Sequence, residues 1–599
     1  MEAKAEEPIR LVIWDLDETF WRGTLSEGGI AEYVEAHHRI VVDLAARGIM
    51  SSICSRNGFD EVRDILVEKG LWDYFIFPSI DWSAKPARVR GIIDATQLRP
   101  ETILFIDDNP SNRAAVLAGI PGIRVAAETF IADIPDHPLF RGKGDEGLTR
   151  LKQYKLLEKR SAEQAQAADP REFLRASGIR VEIEADLAPH FERIVELINR
   201  TNQLNFTKKR LSDDTPTAIA QLKAWIESQR PWVRAAVLRV RDNYGDYGYC
   251  GFYAQTVDRL EYFCFSCRIL GFGVESWLYK MLGRPPIEIE GEVLVDLNSA
   301  PVVDWIAVDK LGDEAPVGPR AGDEGLALSL RGRCELGLLS QYFRFAGFRL
   351  TFEGAYREGG LELFSDSAVN LYYTSGARWA RARPELVKLG FAEYQGARIF
   401  GVEGPAQPIV VFAHRDFVNR PLLYRHKAED FVVCLALQDY SGDLVADDFA
   451  EIAAHVRARE PARGRADALI ERLAYLRADY APVSASGPEL APLVRNCLRG
   501  LLEELAADGV LMPVLMHPEA KGPDGKLWPF RQMSDSRRAL TEALGDDPRV
   551  QFLDASACIQ SPDEIVDWFH YDRVVYYRMA KIVIERCRAL AAPETAKVA

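Results

Sequence analysis

Hydrophobic residues in the first part of the chain occur in short runs, and amphipathic stretches separate these runs. The predicted strands are residues 10–14, 49–54, 74–77 and 102–106, and the predicted helices are residues 31–47, 60–69 and 88–95. Strands that alternate with helices favour a parallel sheet with right-handed crossovers. In such a sheet, ligands bind at the carboxyl ends of the strands.

The later part of the chain divides where its composition changes. A stretch rich in Lys, Glu, Gln and Ala predicts an exposed connecting helix, and a stretch rich in Gly, Asp and Pro, Lys310 to Glu324, predicts a linker. Patterns of strands and helices continue on both sides of that linker. The predicted division is a first domain at 1–145, a helical linker at 146–170, a second domain at 171–310 and a third domain at 325–599.

Length, composition and charge limit the classes of protein to consider. A chain of 599 residues exceeds a single hydrophobic core, and its 48% hydrophobic and 27% charged residues are typical of globular domains. The net charge of −15 disfavours a general nucleic-acid binder, so no nucleic-acid partner is expected. The start MEAKAEEP lacks an apolar signal core, no apolar run is long enough to span a membrane, and the nine cysteines are sparse. These features together predict a cytoplasmic protein with free thiols.

Carboxylates, a hydroxyl and a lysine follow the predicted strands of the first domain. Asp15 and Asp17 come directly after the first strand in DLDET, and Ser55 ends the second strand. Lys85 opens a later segment, and the pair Asp107–Asp108 follows the strand TILFI. Because strand ends meet at one edge of a parallel sheet, these groups are predicted to form one phosphoryl site. The simpler alternatives are a solvated acidic loop or a decayed site.

This ordered motif series resembles that of the haloacid dehalogenase (HAD) superfamily, which has a Rossmann-like parallel sheet. The resemblance implies that Asp15 is the nucleophile and Asp17 the general acid and base, with Ser55 and Lys85 holding the phosphate. It also implies a Mg²⁺ site, whose predicted ligands are Asp15, Asp17, Asp107 and Asp108. The stretches between these motifs are too short for a large cap domain, so an open site is expected.

The resemblance extends to one branch of the superfamily. The segments WDLDETFWRGTLSEGG, ICSRN and FIDDNPSNR, with REFLRASGIRVEI after the linker, resemble the FkbH-like branch over residues 8–305. Members of that branch pair a phosphatase domain with an acyltransferase-like domain. They are implicated in moving a glyceryl group from 1,3-bisphosphoglycerate to an acyl carrier protein, with loss of phosphate. The implied partners are an acyl carrier protein and a phosphorylated three-carbon substrate, in secondary-metabolite or surface-polysaccharide assembly.

A glycine-containing loop marks the second domain. RILGFG places Arg268, Gly271 and Gly273 between an aromatic strand and a helix. This loop resembles the pantetheine-pyrophosphate loop of the GCN5-related N-acetyltransferase (GNAT) fold, an α+β fold. The resemblance implies binding of coenzyme A or of the phosphopantetheine of a carrier protein, whereas the alternative is an ordinary turn.

Two thiols near these sites are candidates for carrying an acyl group. Cys54 adjoins Ser55, and Cys267 adjoins the RILGFG loop. A thiolate is a suitable acyl acceptor. The alternative is that both are inert core residues, because the alternation of a strand can turn Cys54 away from Ser55.

The third domain carries Asp567 and His570 in VDWFHYD near the end of the chain. Their spacing resembles the Asp-x-x-His block of SGNH-type hydrolases, which have an α/β/α fold. Cys334 stands where that resemblance implies a serine nucleophile, and LALQDY (435–440) is the candidate middle block. A cysteine–histidine–aspartate set suits acyl transfer. The alternative is a retained fold without catalysis.

The leading hypothesis is a Mg²⁺-dependent phosphatase and glyceryl (acyl) transferase, with onward acyl transfer or hydrolysis by the third domain. A second hypothesis is a plain phosphatase of a small phosphate ester. A third hypothesis is a non-catalytic scaffold that docks a carrier protein.

Overall fold

The structure is a computed structural model of the chain with a mixed α/β architecture that contains parallel sheets, as predicted. It describes residues 7–167, 169–299, 302–311, 327–397, 409–417, 422–460, 462–484, 487–507 and 509–591. Most of the predicted linker at 310–324 lies outside these residues. The chain forms two compact units, Met1–Ile179 with Arg241–Tyr247 and Arg180–Val240 with Gly248–Ala599. Within the described ranges, no helix is both long and apolar enough to cross a membrane.

Among the described residues up to 176, the chain forms seven short strands and seven α-helices, besides short 3-10 turns. The strands are β1 (Leu11–Trp14), β2 (Trp21–Arg22), β3 (Glu32–Tyr33), β4 (Met50–Ser55), β5 (Ser79–Ile80), β6 (Ile103–Ile106) and β7 (Arg124–Ala126). The helices are α1 (Leu25–Gly28), α2 (Glu35–Ala46), α3 (Phe59–Glu68), α4 (Lys85–Thr96), α5 (Pro110–Gly119), α6 (Thr149–Gln166) and α7 (Pro170–Ala176). Five strands form a parallel sheet in the order β5-β4-β1-β6-β7.

Core side chains cover both faces of this sheet. Val12 and Trp14 of β1 pack into a cluster on one face, and Leu11 and Ile13 pack into a cluster on the other. All four residues of β1 are fully buried, which explains why the strand is continuously apolar. Because all five strands run in the same direction, the residues that follow them meet at one edge.

One predicted strand is wrong. Residues 72–74 form a 3-10 helix, and the edge strand β5 begins only at Ser79. Phe77 has a φ of 45° and precedes Pro78, which has no N–H to donate to a neighbouring strand. The chain at 75–77 therefore forms an isolated bridge between Phe75 and Ser51 instead of a strand.

The next segment, residues 179–311, contributes a second five-stranded sheet. Its strands are β8 (Ile179–Glu184), β9 (Arg234–Arg241), β10 (Asp246–Gln255), β11 (Leu260–Phe265) and β12 (Ile306–Leu311), and its helices are α8 (Phe191–Arg200), α9 (Thr215–Ser228) and α10 (Val274–Met281). The strand order is β11-β10-β9-β8-β12, and β10 pairs with β11 antiparallel. Helices α8 and α9 pack on the sheet through a buried cluster that includes Leu197, Leu222 and Val237.

The remaining chain builds two further sheets. Its strands are β13 (Ala327–Arg331), β14 (Arg349–Glu353), β15 (Ala355–Glu358), β16 (Leu361–Phe364), β17 (Ile409–Phe412), β18 (Leu423–His426), β19 (Val432–Leu437), β20 (Tyr480–Pro482), β21 (Val510–Leu515), β22 (Glu519–Lys521), β23 (Leu527–Pro529) and β24 (Leu553–Asp554). Its helices are α11 (Cys334–Phe345), α12 (Ala368–Tyr373), α13 (Trp379–Lys388), α14 (Phe449–Arg459), α15 (Arg463–Asp479), α16 (Leu490–Glu504), α17 (Arg531–Leu544) and α18 (Arg573–Ala591).

These two sheets differ in strand direction. The first is parallel, in the order β14-β13-β17-β21-β24. The second has the order β15-β16-β19-β18-β20, and its strands pair antiparallel. In the parallel sheet the strand order reverses between β13 and β17, and this is where open α/β sheets bind their ligands.

Candidate active sites

A buried lysine joins two aspartates at the carboxyl edge of the first sheet. Lys85 Nζ lies 2.7 Å from Asp15 Oδ1 and 2.6 Å from Asp107 Oδ2. Asp15 follows β1, Asp107 follows the neighbouring β6, and Lys85 is the first residue of α4. All three side chains are almost completely buried, so the ion pairs are poorly screened by water.

Asp108 adds a third carboxylate to this cluster. Oxygen atoms of Asp15, Asp107 and Asp108 lie within 4.8 Å of one another. Three carboxylates beside one lysine leave an excess of negative charge in a buried place, which a bound divalent cation would offset. Carboxylate oxygens are also the ligands that Mg²⁺ prefers. The residues present therefore fit a divalent metal ion.

Neighbouring amides fix the orientation of Asp107. The Asn112 side-chain amide donates to both carboxylate oxygens of Asp107 at 3.1 Å, and the Asn109 backbone N–H donates to Oδ1 at 2.9 Å. Asn109 also begins α5, because its side chain accepts a hydrogen bond from the Ser111 N–H. On the other side, the Asp108 backbone N–H donates to Thr19 Oγ1 at 2.9 Å.

The Asp17 side chain lies outside the three-carboxylate cluster. Its Oδ1 accepts hydrogen bonds from Trp21 Nε1 at 2.9 Å and from the Leu25 N–H at 3.2 Å. Its Oδ2 accepts from Asn57 Nδ2 at 3.1 Å, and the same Nδ2 lies 3.2 Å from Ser55 Oγ. Asn57 therefore links the Asp17 and Ser55 side chains, a role that the sequence reasoning missed although Asn57 falls within SRN after β4.

Burial shapes the electrostatics of this site. Burial raises the pKa of Asp15 to about 6, although the Lys85 ammonium opposes this shift. Ser55 also hydrogen-bonds Asp15. Cys54 is not brought into the site, because it packs in the core beside Leu11 and Ile13. Burial raises the pKa of the Cys54 thiol to about 11, which makes its thiolate scarce near neutral pH.

The RILGFG loop of the second domain is a tight turn before α10. Gly271 and Gly273 have φ values of 78° and 80°, which require glycine. Gly273 is packed closely, because a Cβ there would lie 3.1 Å from Val303. Arg268, the first residue of this loop, lies in a short 3-10 helix. Burial opposes ionisation of Glu196, but Arg193 above all, and also Arg200 and Arg268, lower its pKa. Burial raises the pKa of Cys267, whose Sγ lies 4.0 Å from Gln203 Oε1.

Cys334, His570 and Asp567 form a hydrogen-bonded chain in the third domain. Cys334 Sγ lies 3.1 Å from His570 Nε2, and His570 Nδ1 lies 2.9 Å from each oxygen of Asp567. Cys334 is the first residue of α11, just after β13, and His570 precedes α18. Burial opposes protonation of His570, but its hydrogen bonds with Asp567 and Cys334 prevail and raise its pKa to about 9.

An ionic network supports this chain, and the sequence reasoning missed it. Glu335 Oε2 lies 3.6 Å from Cys334 Sγ and 2.7 Å from Arg415 Nη2. Arg333 Nε lies 2.5 Å from Asp366 Oδ2. Burial raises the pKa of Asp366 to about 6. The sequence does contain a signal for this network, because charged residues directly follow an apolar strand in SLRGRCE and in VFAHRD.

A cavity of about 1140 Å³ opens beside Cys334. Its wall includes Arg333, Gly354 and Asn370 of the third domain and Trp232, Arg234 and Val257 of the second domain. The Trp232 ring lies 4.6 Å from the His570 ring in an edge-on arrangement. The Asn370 amide donates to the Phe364 and Cys434 carbonyl oxygens, so it is occupied in holding the sheet.

The segment LALQDY does not join this site. Its strand, β19, belongs to the antiparallel sheet rather than to the parallel sheet that carries Cys334. Asp439 instead pairs with Arg459 of α14. The strand that neighbours β13 is β17, and His414 and Asp416 follow it and hydrogen-bond each other at 2.8 Å.

Comparison with known proteins gives limited similarity. No protein-family model matches the chain, and no curated protein matches it significantly. Among solved structures, it is similar to the N-terminal part of the protein BF1531 from Bacteroides fragilis, which contains a phosphatase domain complexed with Mg. The two chains are 23% identical with a TM-score of 0.19, over 24% of this chain and 40% of that one, so less than half of that structure is covered.

Two further solved structures are similar over about a quarter of the chain. One is an uncharacterized protein from Corynebacterium glutamicum, 19% identical with a TM-score of 0.17, covering 23% of this chain and 98% of that one. The other is the cobalt-bound deoxy-D-mannose-octulosonate 8-phosphate phosphatase of Haemophilus influenzae, 18% identical with a TM-score of 0.18, covering 26% of this chain and 94% of that one. At these TM-scores the similarities assign the chain to no family, and the residues of its sites carry the functional inference.

Proposed function

We propose that the first unit is a divalent-metal-dependent phosphatase or phosphotransferase of the HAD type. One observation carries this proposal. Asp15, Asp107 and Asp108 converge at the carboxyl edge of a parallel sheet, and Lys85 bridges two of them. An arrangement of buried carboxylates around one lysine is suited to hold a phosphoryl group together with a metal ion.

The proposed reaction begins at Asp15. An Asp15 carboxylate oxygen attacks phosphorus, the bond from phosphorus to the leaving oxygen breaks, and Asp17 gives a proton to that oxygen. Asp17 then takes a proton from water, which attacks the aspartyl phosphate and releases inorganic phosphate. Ser55 and Lys85 hold the phosphoryl oxygens, and Asn112 keeps Asp107 in position. When bound, a divalent cation supplies positive charge to the phosphoryl oxygens.

The finer proposal is that the substrate is a phosphorylated three-carbon acyl phosphate, such as 1,3-bisphosphoglycerate. A thiolate of the enzyme attacks the acyl carbon of this substrate, the bond from that carbon to the phosphate oxygen breaks, and an enzyme thioester forms. The phosphate ester that remains is removed at Asp15, and the glyceryl unit passes to the phosphopantetheine thiol of an acyl carrier protein. The motif resemblance over residues 8–305 supports this choice.

A second candidate function is acyl transfer at Cys334, favoured by the 3.1 Å contact with His570 Nε2. Asp567 accepts the Nδ1 proton of His570, so that Nε2 faces Cys334 and holds the proton that the thiol gives up. The thiolate attacks an acyl carbonyl, and the leaving thiol or alcohol takes the proton from Nε2. Water, a hydroxyl or an amine then removes the acyl group from Cys334. The start of α11 stabilises negative charge on the sulfur.

Phosphate release tests the first proposal. Pure protein with Mg²⁺ is incubated with labelled 1,3-bisphosphoglycerate and a holo-carrier, and free phosphate and acyl adducts are followed separately. The acyl phosphate leaves when the thiolate attacks, so D15N is expected to abolish only the release of the ester phosphate, and C334S is expected to keep that release. Release of the ester phosphate that survives D15N would overturn the Asp15 assignment.

The same incubation separates the alternatives. Phosphate release with no acyl adduct on carrier or enzyme would favour the plain phosphatase. Tight carrier binding without any phosphate release would favour the scaffold.

A further inference from the structure

The cavity beside Cys334 has walls from two segments that are distant in the sequence. Arg230 fixes the second-domain wall to the third domain, because its Nε lies 2.9 Å from Asp572 Oδ2 and its Nη2 donates to the Asp563 carbonyl at 2.6 Å. Asp563 and Asp572 flank the segment that carries Asp567 and His570. The residues that follow Arg230, through Arg234, are therefore held against the catalytic histidine.

Most charged side chains on the cavity wall are already paired. Arg333 pairs with Asp366, Arg357 with Glu362, and Glu353 with Arg331. Glu393 lies exposed at the rim. Arg234 is different, because none of the residues that the structure describes forms an ion pair or a side-chain hydrogen bond with its guanidinium.

The surroundings of Arg234 lack a compensating anion. Burial lowers the pKa of Arg234, and the neighbouring charged group is another cation, Arg344. The Arg234 side chain is partly buried and lines the cavity. A partly buried guanidinium without a partner is costly, and an anion in the cavity that accepts its hydrogen bonds would satisfy it.

We infer that Arg234 binds the anionic group of the acyl donor whose acyl unit is transferred to Cys334. The inference rests on the proposed function of Cys334. The anion is a phosphate or a carboxylate, since both present a pair of oxygens that can accept two N–H bonds from a planar guanidinium. It comes either from the phosphate of a phosphopantetheine thioester or from a carboxylate on the acyl unit. A cavity of about 1140 Å³ is large enough for such a donor.

Three thioesters test the inference. Acetyl-pantetheine is neutral, acetyl-phosphopantetheine carries its charge on the arm, and succinyl-pantetheine carries its charge on the acyl unit. Acylation of Cys334 in the full chain is followed by intact-protein and peptide mass spectrometry. R234M removes the charge while keeping an unbranched apolar side chain, and R180M removes an exposed arginine from β8 of the same sheet as a matched control.

The expected result is selective. R234M slows acylation by at least one anionic thioester roughly tenfold or more and leaves acylation by acetyl-pantetheine unchanged, whereas R180M changes none of the rates. If R234M slows only acetyl-phosphopantetheine, Arg234 binds the phosphate of the arm. If it slows only succinyl-pantetheine, Arg234 binds the carboxylate of the acyl unit. Equal rates for R234M and the wild type with both anionic thioesters would overturn the inference, and so would equal slowing of all three.

Binding of the thioesters is measured separately, so that the role of Arg234 can be tested even if Cys334 is not acylated. Calorimetry of C334S and of C334S/R234M with the two anionic thioesters reports affinity without acylation. If the wild type forms no adduct but R234M weakens binding of an anionic thioester, the proposed function of Cys334 fails and the role of Arg234 stands. If neither anionic thioester binds more weakly to C334S/R234M, the role of Arg234 fails.

Discussion

Cys334 Sγ lies 3.1 Å from His570 Nε2, although 236 positions separate the two residues along the chain. Cys334 follows β13 of a parallel sheet, and His570 precedes α18. Asp567 completes the chain on the far side of the imidazole. A thiol, an imidazole and a carboxylate in this order form the arrangement that activates a nucleophile.

We expect Cys334 to be the cysteine that alkylates first. Among the nine cysteines, only Cys267 and Cys334 are partly exposed, and burial raises the pKa of Cys267. Limited iodoacetamide treatment followed by peptide mass spectrometry measures the order of modification. H570A should slow the labelling of Cys334 because the imidazole no longer accepts the thiol proton. Labelling of Cys267 serves as the internal control and should not change.

His570 should make stability depend on pH. Its pKa of about 9 in the folded protein lies above the usual value of 6.5. The protonated ring therefore stabilises the fold fully below pH 6.5, and this contribution is lost as the pH rises through 9. The difference in free energy of unfolding between wild type and H570Q should be on the order of 1–3 kcal/mol larger at pH 6 than at pH 10. Urea unfolding at the two pH values measures it, and an equal difference at both would contradict the assignment.

Mg²⁺ should stabilise the folded protein through the acidic cluster. At a concentration about a hundred times its dissociation constant, binding adds about 2.7 kcal/mol to the free energy of unfolding. Chelation should reverse the effect and stop phosphate release. D107N should lose both responses because Asp107 is one of the three converging carboxylates. Thermal unfolding with and without Mg²⁺ measures the shift, and an unchanged shift in D107N would place the metal elsewhere.

Asn112 should act as a positioning residue. It donates to both oxygens of Asp107 but lies outside the carboxylate cluster. N112A should weaken Mg²⁺ binding roughly 10- to 100-fold, because residues that orient a metal ligand have effects of that size. The Mg²⁺ concentration for half-maximal phosphate release measures it, and excess Mg²⁺ should restore most of the rate. S111A, on the same helix, is the control and should change neither quantity.

The ion pair between Arg160 and Asp242 should stabilise the first unit. The Asp242 side chain is fully buried, and its Oδ2 lies 3.2 Å from Arg160 Nε. R160M leaves that carboxylate buried without its cation, which should cost about 3 kcal/mol in free energy of unfolding. Urea unfolding measures the loss. R63A removes an arginine from an exposed pair with Asp60 and should change stability by less than about 0.5 kcal/mol.

The strand ends of the first sheet could be predicted because local signals agree there. Continuously apolar runs such as LVIW mark parallel strands, and polar residues directly after them mark the site. The edge near Phe77 was mispredicted because its apolar run resembles a strand, whereas a left-handed backbone and a following proline end the pairing.

The cavity wall beside Cys334 could not be predicted in the same way. Arg234 begins a strand of a different sheet, and Trp232 lies two residues before it. No local pattern indicates that Trp232 contacts a histidine more than 300 residues later or that Arg234 lines the same cavity. Such contacts follow from tertiary packing. The Cys334–His570–Asp567 set was predicted because the Asp-x-x-His spacing of Asp567 and His570 resembles an SGNH block and Cys334 stands where that resemblance implies a nucleophile.

Because residues 230–234 are attached to the third domain, that domain cannot be exchanged between proteins without affecting them. A chimera that replaced only residues 327–591 by a homologous domain would bring in the counterparts of Cys334 and His570 without the residue that packs on that histidine in their own chain, as Trp232 packs on His570 here. It would also separate Arg230 from Asp572 and leave the Arg230 guanidinium without its carboxylate at the graft boundary. Residues 230–234 and residues 327–591 are therefore expected to be exchanged together, both between related proteins and in engineered chimeras, although the two stretches are far apart in the sequence.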